Sequence, residues 1–309
     1  MLKTFKVGHY TDSKNGTGCS VILPPAKVVC SAYAMGASPG TREYALLQPD
    51  KKIESISALV LTGGSAFGLN AASGVVEELE SQNIGYQTNF GIVPIVPSAV
   101  IFDLNIGNGA IRPGVQEGKL ALNNARFDNY QSGNIGAGTG ATVGKWSGLD
   151  NAMKGGLGVA QIEHGTLKAC AVLVVNSVGD VIDNNGRILA GAQINGKFVA
   201  ENDHKKRWGE PVLGLVENTV LCAVLTNAVL SKQQANYLAG RAHFGISRRI
   251  IPSHTSYDGD VSFVLASGEV ETTIDILSAI TIEAVEQAVI NAVKNAESVF
   301  GIPSYKTIS

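Results

Sequence analysis

Apolar residues in this chain fall into short runs. VVCSAYAM (28–35), SALVLTG (57–63), ACAVLVVN (169–176), TVLCAVLTN (219–227) and VSFVLASG (261–268) are each bounded by Gly, Asn, Asp or Pro. Runs of this length with little polar alternation predict strands buried on both faces. Helical spacing takes over after GGSAFG, across residues 69–81, and returns across 231–243, where Ser231 and Gln234 stand at capping-box spacing. A third helix is predicted from about 282 to 299. VIDNNGRILAGA reads as a hairpin turning at Asn185-Gly186. No internal repeat interrupts this succession of strands and helices.

Length and composition narrow the picture. With 309 residues, 45% of them hydrophobic, the chain can build one large α/β domain or two small ones around a substantial core. The net charge is −2 and the Lys and Arg residues are scattered, so nucleic acid is not an expected partner. Cys19, Cys30, Cys170 and Cys222 show no CxxC spacing, and the last two sit in apolar runs; buried thiols are expected. MLKTFKVGHYTDSKN carries no apolar stretch of the secretory type, and the uncharged segment 55–76 is broken by GGSAFG and Asn70. The expectation is a soluble cytoplasmic protein without a membrane span. The most polar segment, residues 196–211, reads as a solvated loop.

Several motifs offer chemistry and fall short of it. GAGTGA (136–141) satisfies a dinucleotide fingerprint as a string, but no clear apolar strand leads directly into it. The overlapping GTGATVGKW approaches a phosphate loop, yet Thr139 replaces the first glycine and Trp146 the magnesium-binding hydroxyl. Close packing of backbone explains these glycines better than nucleotide binding. GGSAFG (63–68) misses the nucleophile-elbow pattern because Phe67 occupies the second glycine position, leaving Ser65 as an N-cap or a packing turn. HTSYDGD places His254, Asp258 and Asp260 within seven residues, but no second cluster completes a metal site. His9, His164, His204 and His243 read as structural or surface residues.

One dipeptide remains. Asn218-Thr219 stands directly before the apolar run 220–225, where turn and strand preferences alone would account for it. A hydroxyl there has a second use. Were the bond between them cut, Thr219 would carry a hydroxyl and a free α-amine, and such amines titrate near 7.7–8.0. A single residue would then supply both nucleophile and base.

Taken in order, VGHYTDSKNGTGCSVILPP, GASPGTRE, LTGGSAFGLNAASGV, VPSAVIFDL, GAGTGATVGK and the whole stretch 218–268 resemble one family. It is the self-processing aminopeptidase family that includes L-aminopeptidase D-Ala-esterase/amidase, β-peptidyl aminopeptidases and the nylon-oligomer (6-aminohexanoate oligomer) hydrolases. The resemblance runs from about Val7 to Gly268.

That resemblance implies a four-layer αββα sandwich, one domain cut between Asn218 and Thr219 into chains 1–218 and 219–309. Thr219 matches the nucleophile and Asn176 an oxyanion donor beside it. Lys145 matches an active-site lysine of the nylon-hydrolase branch, and Asp258 and Asp260 that branch's acidic pair. The aminopeptidase branches carry Ser and Glu at those two places and a Ser nucleophile, so the threonine branch fits better. Phe102 departs from the pattern, standing where relatives carry a Tyr whose hydroxyl could bind the oxyanion. Lys145, as a long side chain, is expected to order poorly and to replace that hydroxyl only in part.

The implied reaction is hydrolysis of small peptides, amino-acid amides or ω-amino-acid oligomers, without metal or organic cofactor. Relatives form tetramers, so a homo-oligomer is expected. A catalytically silent binding or scaffold protein is the alternative reading.

Overall fold

The computed structural model describes residues 1–208 and 218–308. Its two main sheets have five strands each. In chain order these are β1 (Lys6–Asp12), β2 (Thr17–Leu23), β3 (Val29–Ala34), β4 (Thr41–Arg42), β5 (Leu59–Thr62), β6 (Ser98–Val100), β7 (Gly156–His164), β8 (Leu167–Asn176), β9 (Thr219–Ala228) and β10 (Val261–Val270). One sheet is ordered β1-β2-β5-β6-β4 and the other β7-β8-β9-β10-β3. Each has a single parallel pair, β5 with β6 and β9 with β10. Four longer helices are described: α1 (Ala71–Ser81), α2 (Val115–Asn123), α3 (Lys232–Ser247) and α4 (Ile274–Lys294).

The period of two along a strand sorts side chains into separate cores. Leu221, Ala223 and Leu225 of β9 meet Val172 and Val174 of β8, Phe263 of β10, and Ile22 and Leu61 of the facing sheet. Their neighbours Val220, Cys222 and Val224 pack instead on Leu238 and Ala242 of α3 and on Val285 and Val289 of α4. A third core joins Val21 and Val60 to Val75 and Leu79 of α1 and Ala121 of α2. Three cores separate four layers, so the expected αββα sandwich is the fold. Strand β9 is buried over all ten residues, which is why it reads as an unbroken apolar run. Truncating a fully buried leucine such as Leu221 to alanine removes about 2–5 kcal/mol.

The hairpin at Asn185-Gly186 joins the antiparallel segments Asp180–Ile182 and Ile188–Ala190. Ser231 caps α3 as its spacing predicts, accepting the Gln234 N–H. The last long helix differs from its prediction, running Ile274–Lys294 rather than 282–299. Thr273 caps it and Asp275 lies in its first turn, a start signal that apolar spacing overlooks because Ile276 is exposed. Asn295 ends it by bonding the Asn291 carbonyl. This helix is apolar and long enough to cross a bilayer, but it packs on the sheet as a core helix. Residues 197–198 of the polar segment form a short strand and His204–Trp208 a 3₁₀ turn, while 209–211 lie outside the described residues.

Candidate active site

Strand register brings the candidate residues together. In the antiparallel β8/β9 pair, Asn176 is opposite Thr219. In the parallel β9/β10 pair, Leu221 is opposite Val261, and an isolated bridge between Asn218 and Asp258 continues that register upstream. Asp258-Gly259-Asp260 therefore runs beside Asn218-Thr219-Val220. Thr219 has the parity of Leu221 and Ala223, so its side chain points between the sheets, toward the end of β6. Gly259 makes room for it, because a Cβ there would fall 2.9 Å from Thr219 Oγ1 and 2.5 Å from the Ser38 carbonyl oxygen.

The Asn218–Thr219 peptide is held from both sides. Gly259 N–H donates to the Asn218 carbonyl oxygen at 2.7 Å, and Thr219 Oγ1 lies 2.5 Å from the same oxygen. Asp260 Oδ1 accepts the Val220 N–H at 2.6 Å, and its Oδ2 lies 2.7 Å from His254 Nδ1. Asp258 Oδ2 accepts from the N–H and hydroxyl of Thr255, both at 2.7 Å. Its Oδ1 is buried without a hydrogen-bond partner among the described residues. Burial first, and the charge of Asp260 second, raise the Asp258 pKa to about 6.

Lys145 is 1% exposed and donates to Asn176 twice, to the backbone oxygen at 3.1 Å and to Oδ1 at 2.9 Å. The expectation of a poorly ordered lysine is overturned, since burial and two acceptors fix it. Thr142 N–H also donates to Asn176 Oδ1, so the amide is oriented with Nδ2 outward; one Nδ2 hydrogen goes to the Phe102 carbonyl oxygen at 3.1 Å. Burial lowers the Lys145 pKa to about 7, against the opposing pull of Asp258. A second buried lysine, Lys154, went unnoticed in the sequence. It donates to the Thr139 and Ala141 carbonyl oxygens at 2.9 and 2.5 Å, and burial likewise lowers its pKa to about 7. The only signal was a charge inside the glycine-rich, apolar stretch 152–160.

Thr219 opens on a cleft of about 300 Å³ lined also by Ser38, Pro39, Gly40, Ser65, Ala66, Val100 and Phe102. Larger cavities lie elsewhere on the surface and contain none of these groups. Phe102 thus does share a cleft with Thr219. Ser65 also lines it, which corrects its reading as an N-cap: Gly64 holds that position, and Ser65 is the first residue of a short helical turn, with φ of 52°. Asp103 fixes this turn by accepting the Gly64 N–H at 2.7 Å and the Thr17 hydroxyl at 2.8 Å.

The remaining motifs have structural roles. GAGTGA is buried between the sheets, and a Cβ on Gly138 would fall 2.1 Å from the Leu157 nitrogen. The four cysteines are buried and free. In HTSYDGD, His254 Nδ1 lies 2.7 Å from Asp260 Oδ2, with Asp258 beside the pair.

The four-layer sandwich is the fold of solved aminopeptidases of the Ntn-hydrolase type. The chain belongs to peptidase family S58, which it matches over residues 2–306, and is a hydrolase of peptide or amide bonds. An uncharacterized aminopeptidase of Mycobacterium leprae is 37% identical to it, across 98% of this chain and 92% of that protein. A 6-aminohexanoate-oligomer endohydrolase of Paenarthrobacter ureafaciens is 30% identical, across 85% of this chain and 72% of its own. Among solved structures, a β-aminopeptidase of Burkholderia sp. matches with a TM-score of 0.73 at 18% identity, covering 98% of this chain and 90% of that one. The L-aminopeptidase D-Ala-esterase/amidase of Ochrobactrum anthropi, described as a variant of the Ntn-hydrolase fold, matches at 0.73 and 21%, covering 97% and 86%. These two likenesses concern the fold.

Proposed function

We propose that the chain cuts itself between Asn218 and Thr219 and then uses Thr219 as nucleophile and base to hydrolyse small amides. The observation that carries this reading is the Asn218 carbonyl, with the Thr219 hydroxyl beside it and the Gly259 N–H on its oxygen. Attack by Oγ1 on that carbon transfers the Asn218 acyl group from nitrogen to oxygen. Gly259 N–H stabilises the transient oxyanion. Water then opens the ester, leaving a carboxylate on Asn218 and a free amine and hydroxyl on Thr219.

In the hydrolytic cycle the amine takes the hydroxyl proton as Oγ1 attacks the substrate carbonyl, and returns it to the departing amine. Water resolves the acyl-enzyme by the same route. Asn176 Nδ2 keeps one hydrogen for the oxyanion, and Gly259 N–H becomes available once Asn218 has withdrawn. Asp258 and Asp260 supply the negative charge that an α-ammonium needs in a buried place. A cleft of about 300 Å³ suits short substrates: dipeptides, amino-acid amides or short ω-amino-acid oligomers.

Mass spectrometry of freshly purified protein tests this directly, with two fragments summing to the chain plus one water as the expected result. Thr219→Ala should stay whole and hydrolyse nothing above background. If that variant keeps its activity, the nucleophile lies elsewhere and Ser65 is next to be tested. A wild-type chain that stays intact and inert would instead favour the binding-protein alternative.

A further inference from the structure

His254 has no task in the reaction just described, yet its surroundings are specific. The ring is only 12% exposed, with Nδ1 at 2.7 Å from Asp260 Oδ2 and Nε2 facing the His243 carbonyl oxygen at 3.3 Å. A carbonyl oxygen only accepts, so Nε2 carries a proton. The Asp260 carboxylate accepts the Val220 N–H through its other oxygen, and facing His254 it accepts again, so Nδ1 carries a proton too. The ring is then an imidazolium.

We infer that His254 is a positioning residue: its imidazolium engages Asp260, locks that carboxylate onto the backbone of Val220, and leaves Asp258 to receive the Thr219 ammonium. The inference rests on the N-terminal-nucleophile reading and divides the labour of the acidic pair, which sequence alone treats as equivalent. Both Asp260 oxygens are occupied. Asp258 has one oxygen on Thr255, and the other is buried with no hydrogen-bond partner among the described residues. Two carboxylates flanking Gly259 would repel each other strongly without a cation between them and their surroundings. The group in contact is His254, at 2.7 Å from Asp260 Oδ2. Its φ of 55° lies in the left-handed region that few residues other than glycine enter, so the loop holds the ring toward Asp260 at a conformational cost.

The charged and titratable groups around this pair come from several elements. Asp258 shares its loop and Lys145 lies across the strand ends. From α3, the His243 ring sits edge-on to His254 with centroids 4.9 Å apart, and Tyr33 of β3 stands beyond it. Burial lowers the His243 pKa to about 4, so it stays neutral. For His254 burial acts downward, but the hydrogen bond and charge of Asp260 outweigh it and the net shift is upward.

Two measurements test the proposal. The first uses uncut Thr219→Ala protein and needs no catalysis. NMR titration of the His254 ring, assigned by its disappearance in His254→Asn, should show protonation persisting above the ordinary histidine range. In Asp260→Asn the midpoint should fall by about a unit or more. The second follows self-cleavage and kcat/KM on an amino-acid anilide from about pH 5 to pH 9. Asparagine tolerates left-handed backbone and keeps an N–H for Asp260 while removing the charge. In His254→Asn the acidic limb of both profiles should move up by about half to one unit, costing roughly 3- to 10-fold below neutral pH and little above pH 8. Loss of a cation makes the acids harder to ionise in both reactions and, in hydrolysis, the ammonium harder to deprotonate, and both effects act in that direction. His254→Ala, without the donor, should be slower at every pH.

A His254 midpoint at or below the ordinary value in Thr219→Ala overturns the ion pair. Profiles of His254→Asn that superimpose on wild type overturn the positioning role. A wild-type chain that neither cuts itself nor hydrolyses overturns the nucleophile reading and the role of Asp258 with it, and the titration still decides the ion pair separately.

Discussion

The cleft at Thr219 has two unlike walls. The wall from the β7-β8-β9-β10-β3 sheet presents Thr219, backed by Asn176, Gly259, Lys145, Asp258, Asp260 and His254. There nearly every polar atom has a partner at hydrogen-bond distance. The wall from the other sheet is Val100, Phe102, Ala66 and Ser65, and the Ser65 hydroxyl makes no hydrogen bond among the described residues. On the proposed reading, strand register fixes the chemistry on one sheet and the facing sheet supplies shape. Substitutions on the first wall should change rates by orders of magnitude, and those on the second should adjust fit. The comparison fails if the two sets of effects are equal.

The sharpest test on the polar wall is Asp258→Asn. An amide of equal size cannot balance the Thr219 ammonium that self-cleavage would leave, so hydrolysis should fall by about 10²–10³. Stability should move the other way. The Asp258 pKa is raised on folding, so its contribution is fully present below the unfolded value and is lost as pH rises through about 6. Above that pH, in the uncut Thr219→Ala background where no ammonium faces it, the Asp258→Asn protein should melt higher than its Asp258 parent. A variant that is both slower and less stable at pH 8 would mean that Asp258 is a structural anchor.

Two buried lysines extend the comparison. Lys145 belongs to the polar wall through Asn176, whereas Lys154 ties down the carbonyls of Thr139 and Ala141. Lys145→Met should lower kcat by about 10- to 100-fold, because Asn176 loses the contact that orients its amide. Lys154→Met should leave kcat within about twofold and cost roughly 1–3 kcal/mol for carbonyls left unpaired. Both lysines have pKa values depressed to about 7 in the fold, so the unfolded chain binds more protons above that pH. Their contribution is complete above the unfolded lysine value and is lost as pH falls through about 7. Melting temperature should therefore climb from pH 7 to pH 9, and climb less in Lys154→Met.

Much of the polar wall was legible in the sequence, for a physical reason. Strands buried on both faces read as apolar runs, and residues at their ends fall into register once pairing is known. Thr219 stood out at such an end, whereas Asn176, Lys145 and the acidic pair of the DGD turn entered through the resemblance to the aminopeptidase family. Helix α2 was not found, because only Gly118, Ala121 and Leu122 of its nine residues are buried and its apolar stripe is thin. Lys154 and Asp103 were missed because a buried charge differs from an exposed one only by surroundings far off in sequence. The partnership of His254 with Asp260 was hidden differently. Six residues apart, they meet through a loop whose shape depends on one left-handed residue, and no spacing rule reports that.

The smallest effect is expected on the apolar wall, at Phe102. Its ring lines the cleft with Thr219, so a tyrosine hydroxyl there would enter the space where the oxyanion develops. Removing a donor from a site built around it typically costs about 10²–10³ in rate. This site is not built around that donor. Asn176 retains a free Nδ2 hydrogen, held in direction by Lys145 and Thr142, and the proposed cleavage would release Gly259 N–H. With two oriented donors in place, a third adds little, so Phe102→Tyr should raise kcat on a small anilide by only about 2- to 5-fold. KM should barely change, since the added contact forms in the transition state. Self-cleavage should not change, because the Asn218 carbonyl oxygen is already bound by Gly259 N–H. Steady-state kinetics beside a processing time course measures both. A gain of a hundredfold would show that Asn176 and Gly259 do not serve the substrate oxyanion, and that the facing sheet normally shares in the chemistry.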